Sequence, residues 1–500
     1  MVLLYFYNRI HDITFFTIVG LFISTTVLFN SLPFLVFFLC FFAVWWWAKR
    51  KDQSRWITLV GFSFLFYGWW DWRFLFLLLF SGSIDYWAGL GMEKEPARRK
   101  FYLYTSLLGN LGSLAIFKYS PLVAQIINDV GALGGLEWDV HAQLPAFSLI
   151  LPVGISFYTF QSMSYTLDIY HKKLKPTHNV WHFFAYLSLF PQLVAGPILR
   201  AKDLLYQLQE DRPVSARGVW FGLRLMVYGF FQKMVIADNL APFVNQAFGN
   251  VQQPTVWWYW WLVLLGFAFQ IYFDFAGYSA IARGLARLMG LRFRQNFDHP
   301  YHARSLQDFW RRWHISLSTW FRDYVYLPLG GNRVVAWKIY RNLWITFLLS
   351  ALWHGAYYHF ILWGVVHALG LSLERWTQWP ERLAQYPRWS WIAWPIVWLQ
   401  VLLAWLFFRV EHWADVGVIS QQLFAFGATI EPPQLLYYFD GLVIVLLAIL
   451  IECWYYLKRN WPALRPWTQH PLYDSVTMGL LIASCIYFRG PASDFVYFQF

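Results

Sequence analysis

Charge is scarce in this 500-residue chain: Asp, Glu, Lys and Arg together make 13% of it, against about 25% in ordinary soluble domains. That shortage argues against a water-dispersed globular enzyme. Cysteine is scarcer, with three residues. Cys40, Cys453 and Cys485 lie in apolar stretches, outside any CxxC pair and away from any histidine at metal-ligand spacing. They read as packing residues and not as a disulfide framework or a zinc site. No Walker loop and no Gly-x-Ser-x-Gly elbow occurs in a usable context, which removes two common routes to phosphoryl and acyl chemistry. No repeat of fixed period is visible either, which argues against the inverted-repeat plan of many secondary transporters.

Apolar sequence is what the chain has in abundance, with 58% hydrophobic and 22% aromatic residues. Runs near the ~18–20 residues that span a bilayer recur at Leu32 to Ala48, Ala146 to Leu167, Trp257 to Phe273, Trp391 to Phe408 and Gly441 to Leu457. Every backbone amide inside lipid needs a partner, so the chain must form helices or a closed barrel. These runs lack the strict polar/apolar alternation of barrel strands. The expected fold is an all-α polytopic membrane bundle of about eleven helices, some short, re-entrant or interfacial. The stretch from Ile13 to Phe29 is followed almost at once by another apolar run with no small-residue cleavage site between them, so it reads as a retained helix and not as a signal peptide.

The formal charge of +12 does not point to nucleic acid, because much of the excess sits in short loops between spans. Lys49, Arg50, Lys51 and Arg55 form one cluster, Lys94, Arg98, Arg99 and Lys100 a second, and Lys172, Lys173 and Lys175 a third. Basic short loops face the cytoplasm. Residues 56 to 93 accommodate two short spans with Asp71 and Arg73 at their turn, which leaves the first two clusters on one side. Gly131 to Gly135, with Glu137, Asp139 and His141, makes a polar loop expected on the other side.

Against this background the stretch DFWRRWHISLSTWFRDYVYLPLGGNR, residues 308 to 333, is unusually polar. Trp310, Trp313, Leu317, Trp320 or Phe321, and Tyr324 recur at helical spacing, while Asp308, Arg311, Arg312, Ser318, Arg322 and Asp323 fall mainly on other faces. This reads as an interfacial helix, with aromatic rings at headgroup level and arginines reaching to water or phosphate. Interfacial anchoring does not account for His314. A second site is SALWHGAYYHFILWGVVH, residues 350 to 367, where His354 falls in an apolar, aromatic helix with no acidic residue at i±3 or i±4. An ionisable residue at membrane depth costs roughly a few kcal/mol when charged, and so raises a functional question. A neutral histidine bonded to a neighbouring helix would also satisfy the sequence. His359 and His367 project to the far side by helical periodicity and read as structural.

Two histidines without a cysteine or carboxylate cluster make a poor metal site, since hydrolytic zinc takes about three protein ligands. What remains is a histidine acting as general base, kept uncharged by burial and so able to accept a proton; that chemistry suits acyl transfer. Asp274 lies in QIYFDFAGYSAIARGLARLMG, residues 270 to 290, and is open to two readings, a binding residue or a structural carboxylate paired with an arginine. LPVGISFYTFQSMSY (151 to 165) and FPQLVAGPILR (190 to 200) carry Pro and Gly within apolar runs, as helices that line a cavity do and as plain kinks do.

Taken together, LPVGISFYTFQSMSYTLDIY, LFPQLVAGPILR, IYFDFAGYS, DFWRRWHISLSTWFRDYVYLPLGGNR and LWHGAYYHFILWG resemble, in order and spacing, the membrane-bound O-acyltransferase family and its alginate O-acetyltransferase-like branch. The likeness spans most of residues 151 to 371, and FVYFQF, residues 495 to 500, is similar to the aromatic ending of that branch. The resemblance implies one domain over 1–500, with N-terminal helices over 1–144, a catalytic core over 145–375 and C-terminal helices over 376–500. It implies a central funnel, His354 of the Trp-His-Gly motif as catalytic histidine, His314 as the second active-site position and Trp353 beside them. Asn296 is placed as a donor to the developing oxyanion or a positioning group, Asp274 as a binding residue, and Arg311, Arg312 and Arg322 either as partners of coenzyme phosphates or as interface anchors.

By the same resemblance no cofactor is held, and acetyl-CoA is the acetyl-donor substrate. The acetyl group crosses the bacterial inner membrane to an exported polysaccharide such as alginate or cellulose. A periplasmic polysaccharide acetyltransferase and an exopolysaccharide synthesis and export complex are the implied partners, along with membrane lipid and without nucleic acid. The chain departs from the branch after Gly277, Tyr278 and Ser279, where an acidic residue gives way to Ala280 and Arg283 follows; this puts the acceptor polymer in doubt. D-alanyl or another acyl group is the enzymatic alternative, and a non-catalytic transporter or structural subunit the alternative of another class. The aromatic tail of Phe495, Tyr497, Phe498 and Phe500 suits either docking of another subunit or anchoring at the interface.

Overall fold

The computed structural model describes residues 29–145, 151–193, 196–253, 255–425, 432–464, 470–493 and 495–496. Among them the chain forms helices and turns and no strand. It runs through α1 (Leu32–Ala48), α2 (Asp52–Asp71), α3 (Phe74–Lys94), α4 (Arg99–Leu114), α5 (Ser120–Leu133), α6 (Ile155–Tyr170), α7 (Val180–Leu187) and α8 (Ala201–Leu208). There follow α9 (Ala216–Phe230), α10 (Asp238–Gly249), α11 (Trp257–Leu288), α12 (Leu306–Arg312), α13 (Ile315–Phe321), α14 (Ala336–His354) and α15 (Tyr358–Thr377). The last long elements are α16 (Ala393–Arg409), α17 (Trp413–Gln422), α18 (Pro432–Asn460) and α19 (Pro471–Tyr487). Local chemistry sets several starts. Ser31 accepts from the Phe34 amide ahead of α1, with Pro33 in the first turn. Asn179 accepts from Trp181 and His182 ahead of α7, and Ser215 from Gly218 ahead of α9.

Among the described residues five helical stretches are long and apolar enough to cross a membrane: Phe74–Lys94, Ala216–Gly249, Trp257–Leu288, Ser390–Arg409 and Phe439–Asn460. Leu32–Ala48 and Pro471–Tyr487 are shorter apolar helices. The expected span from Ile13 lies outside the described residues up to Phe29, as do positions 146 to 150 of the run ending at Leu167. Large apolar side chains such as Leu108, Leu133, Trp376 and Leu450 point outward, which in a multi-pass membrane protein is the face presented to lipid. The three cysteines are free, and Cys40 is exposed instead of packed as expected.

α11 is the axis of the bundle: 89% of its apolar window is buried in protein, against 22% for Phe439–Asn460. A helix covered on every side must meet its neighbours closely, and α9 does so through glycine. A Cβ on Gly229 would stand 2.5 Å from the Gly277 carbonyl, and one on Gly284 would stand 2.6 Å from the Gly222 carbonyl. These two backbone-to-backbone contacts, a heptad apart on each helix, let α9 lie against α11 at a distance no larger residue permits.

The expected hairpin of residues 56 to 93 is present, with Asp71 and Arg73 paired at its turn at 2.6 Å. The basic clusters gather on one face. Arg55 and Trp56 donate to the Leu208 carbonyl at 3.1 and 2.8 Å, and Arg99 donates to Ile169 near the third cluster. Gln207 accepts from the Arg292 amide at 2.8 Å, which joins the 289–298 loop to the same face. Asp129 and Tyr358, bonded at 2.7 Å, belong to the other ends of α5 and α15.

The C-terminal residues fold back into the protein. Phe495 is fully buried against Phe275 and Tyr278, at ring separations of 5.3 and 4.7 Å, so this ring neither docks another subunit nor anchors in the interface. Tyr497, Phe498 and Phe500 lie outside the described residues.

Candidate active site

The polar stretch around His314 departs from the expected interfacial helix in two ways. It breaks into α12 and α13 at Trp313 and His314, and its aromatic face is buried in protein, with Trp313, Leu317 and Trp320 at 1%, 1% and 4% exposure. An amphipathic stripe of tryptophans suits a protein interior as well as a headgroup layer, and the pattern alone does not choose. The break has its own cause. α12 begins where Ser305 accepts from Asp308 and the Glu374 carboxylate accepts from Leu306 and Gln307 at 2.6 and 3.1 Å. α13 is then held in a new direction by the 296–298 segment: Asp298 donates to the Arg312 carbonyl and Ile315 to the Asn296 carbonyl, each at 2.9 Å. His314, between these two bonds, takes φ 43° and ψ 53°, a left-handed conformation uncommon for a residue with a side chain.

Asn296 is the clamp. Its side-chain oxygen accepts from the Ser316 amide at 3.1 Å and the Ser316 hydroxyl at 2.9 Å, while its nitrogen donates to Ser279 Oγ at 3.2 Å. Because a backbone amide only donates, the atom facing Ser316 is the oxygen. That same oxygen stands 3.3 Å from His314 Nδ1. The neutral His314 ring therefore carries its proton on Nδ1, and Nε2 is the acceptor nitrogen. Ser279 and Ser316, both missed from the sequence, complete the clamp; a serine two positions after the histidine was the available signal.

His354 is the last residue of α14, not a mid-helix residue as the sequence suggested. The chain leaves the helix at Gly355 and starts α15 at Tyr358. Its ring is boxed by Trp353, Trp363 and Phe408 at 4.9, 4.8 and 5.4 Å. Trp353 also meets His314 at 5.9 Å, so one indole contacts both histidines. Trp353 is itself held by its Nε1, which donates to the Ser156 carbonyl at 3.3 Å. His359 bonds the Phe407 carbonyl at 3.0 Å, whereas His367 lies in the aromatic stack behind Trp363. The helical periodicity used to set these two aside does not apply across the break.

Gly355 is required by space. A Cβ there would fall 2.0 and 2.2 Å from two ring atoms of Phe360, which is fully buried against Phe408. Gly355→Ala is expected to destabilise the protein by about 1–3 kcal/mol through overpacking and to displace His354. A lowered thermal midpoint in detergent checks this; an unchanged midpoint and unchanged turnover would contradict it.

Two cavities adjoin the site. One of about 70 Å³ is walled by Lys118, Gly154, Ser156, Phe157, Trp353 and His354. The other, about 210 Å³, is walled by residues that include Gln232, Ser279, Arg283, Gln295, Asn296 and His299, so the Asn296 clamp separates it from His314. Ala280, where the chain departs from the branch pattern, and Arg283 after it both line this second space.

The other predicted residues are dispersed. Asp274 pairs with Lys233 at 2.8 Å, not with an arginine, and accepts from the Val496 amide at 2.7 Å. It thus holds the C-terminal segment, as a structural carboxylate whose partner is a lysine. Arg312 is taken by Asp308 at 2.9 Å and Arg322 by Asp323 at 2.6 Å. At Asp323, burial acts to raise the pKa, but hydrogen bonds from Arg322 and Arg200 outweigh it and hold the carboxyl below its ordinary value. Arg311 is exposed and makes no ion pair among the described residues.

Comparison with known proteins decides the family. Residues 13–411 match the family model for MBOAT, the membrane-bound O-acyltransferase family. This chain belongs to it. The acyltransferase is 38% identical over 409 residues to the "probable alginate O-acetylase AlgI" of Pseudomonas aeruginosa, covering 80% of this chain and 75% of that protein. It is 34% identical over 420 residues to the peptidoglycan O-acetyltransferase of Helicobacter pylori, covering 78% and 77% respectively. Its identity to the teichoic acid D-alanyltransferase of Bacillus subtilis is 28% over 261 residues, 47% of this chain and 62% of the other.

Proposed function

We propose that this acyltransferase passes acetyl from acetyl-CoA, on the cytoplasmic side of a bacterial inner membrane, to an acceptor on the far side, for O-acetylation of an exported polysaccharide. The observation that carries the proposal is a buried histidine pair in contact with the same indole, Trp353, with one cavity walled by His354 and another behind the Asn296 clamp of His314. The relatives that match across most of the chain are named for acetyl transfer, which favours acetyl over D-alanyl. Alginate and cellulose are the polymers proposed, completed by a periplasmic acetyltransferase partner.

The basic face, read as cytoplasmic, lies on the side of the Arg283 cavity, so the thioester approaches past Asn296 and His314. The acceptor hydroxyl approaches His354 through the Lys118 cavity. His354 removes the hydroxyl proton as the oxygen adds to the thioester carbonyl. The C–S bond then breaks, and the proton passes to the departing thiolate. His314 is oriented through Nδ1 by Asn296 and presents Nε2 toward the reacting groups. Asn296 thus acts by orienting His314, and not as the oxyanion donor. Because both carriers meet at a fixed point, neither needs to cross the bilayer.

Reconstituted vesicles supplied with radiolabelled acetyl-CoA on the basic-face side should place label on polysaccharide or partner protein enclosed on the other. Transfer from a D-alanyl carrier protein with none from acetyl-CoA would overturn the proposal.

A further inference from the structure

We infer that Lys118 is a positioning residue for His354, fixing the helix end from which that ring projects; this rests on the reading of His354 as the proton acceptor. α14 stops at His354, and the last carbonyls of a helix have no partner within it. Here they are taken by two consecutive side chains. Tyr119 Oη donates to the Leu352 carbonyl at 2.9 Å, and Lys118 Nζ lies 2.5 Å from the Trp353 carbonyl and 3.2 Å from that of His354. A third Lys118 bond, also 3.2 Å, reaches Ser156 Oγ on α6.

Both side chains come from Ala115–Tyr119, a π turn between α4 and α5. The extra residue of such a turn rotates its side chains off the regular helical face, here toward α14. Lys118 and Lys233 are the buried lysines among the described residues, and both lie in π turns. Lys233 is matched by two carboxylates. Lys118 makes no ion pair among the described residues; it faces the negative end of the α14 dipole instead. A methionine would fill the same space without burying a polar group, so the site uses the hydrogen bonds of the amine. Three acceptors surround Nζ: the carbonyls of Trp353 and His354 and the Ser156 hydroxyl.

The test uses the purified full chain with Lys118→Met and Lys118→Arg, each confirmed folded by its thermal midpoint. Two quantities are read: kcat and donor KM with acetyl-CoA, and the rate at which diethyl pyrocarbonate modifies His354, followed by mass spectrometry. Lys118→Met should lose roughly 10- to 100-fold in kcat with donor KM nearly unchanged, the scale of a reacting group misplaced by about 1 Å. Its His354 modification rate should shift several-fold, and Lys118→Arg should restore most of both. Unchanged kcat and unchanged labelling in Lys118→Met would overturn the inference. So would Lys118→Arg as inactive as Lys118→Met with wild-type labelling, because the amine itself would then be reacting. If Lys118→Met does not fold, Tyr119→Phe removes the Leu352 bond alone and must move labelling in the same direction, or the inference fails. A wild-type protein inert to acetyl-CoA would count against the proposed function, while the labelling would still decide the role of Lys118.

Discussion

His354→Ala, inserted in normal amounts, is expected to lower acyl transfer by about 10²- to 10⁴-fold, the usual contribution of a positioned general base. The ring sits among Trp353, Trp363 and Phe408, so truncation also leaves a hole, and loss of activity by itself would not separate chemistry from packing. His354→Gln makes the separation. It keeps most of the volume and can hydrogen-bond, but it takes no proton at neutral pH. It should therefore be nearly as inactive as the alanine variant while retaining the wild-type thermal midpoint. A glutamine variant that turns over at the wild-type rate would remove His354 from the reaction, and with it the proposed direction of proton transfer.

Lys233→Met is expected to produce the largest loss of stability, about 3–5 kcal/mol, because removing one partner from a buried ionic cluster leaves charge uncompensated. Lys233 Nζ lies 2.8 Å from both Asp238 and Asp274, and all three side chains are at most 1% exposed. The same cluster secures the C-terminal segment. Lys233 donates to the Ser493 carbonyl at 2.9 Å, Ser493 Oγ to Asp238 at 2.6 Å, and the Val496 amide to Asp274 at 2.7 Å. Phe495 follows these anchors into the core and meets Phe275, whose ring packs on His314 at 4.7 Å. The variant should therefore show both a lower thermal midpoint and faster proteolysis after Tyr487. Adding Asp274→Asn should recover part of the loss, since one unpaired carboxylate is then removed. Equal stability of Lys233→Met and wild type would mean that the cluster contributes nothing.

The two histidines stood out in the sequence for a simple reason. Ionisable rings are rare in apolar surroundings, and both stood in stretches whose order and spacing resemble one family. The α2–α3 hairpin was legible because its turn residues, Asp71 and Arg73, interrupt an apolar run. The stretch around His314 was misread because tryptophans at helical spacing suit lipid headgroups and protein interiors equally. Asp274 was given the wrong partner because its lysine lies 41 positions earlier in sequence and reaches it only through the packing of α9 and the following turn against α11. Lys118 was passed over because an isolated lysine in an apolar run looks like one that snorkels to the surface, and a π turn leaves no mark in a pattern read at 3.6 residues per turn.

By itself, then, the sequence determined the solvent and the family: long apolar runs require helices in lipid, and the motifs from residues 151 to 371 resemble the family to which the chain belongs. The tertiary structure alone decided geometry. It placed His354 at a helix end instead of mid-helix, set one indole against both rings, turned Asn296 into a clamp and drew the C-terminal segment inward. Each of these depends on contacts between residues distant along the chain, and local periodicity carries no information about which distant backbone or side chain will satisfy a buried polar group.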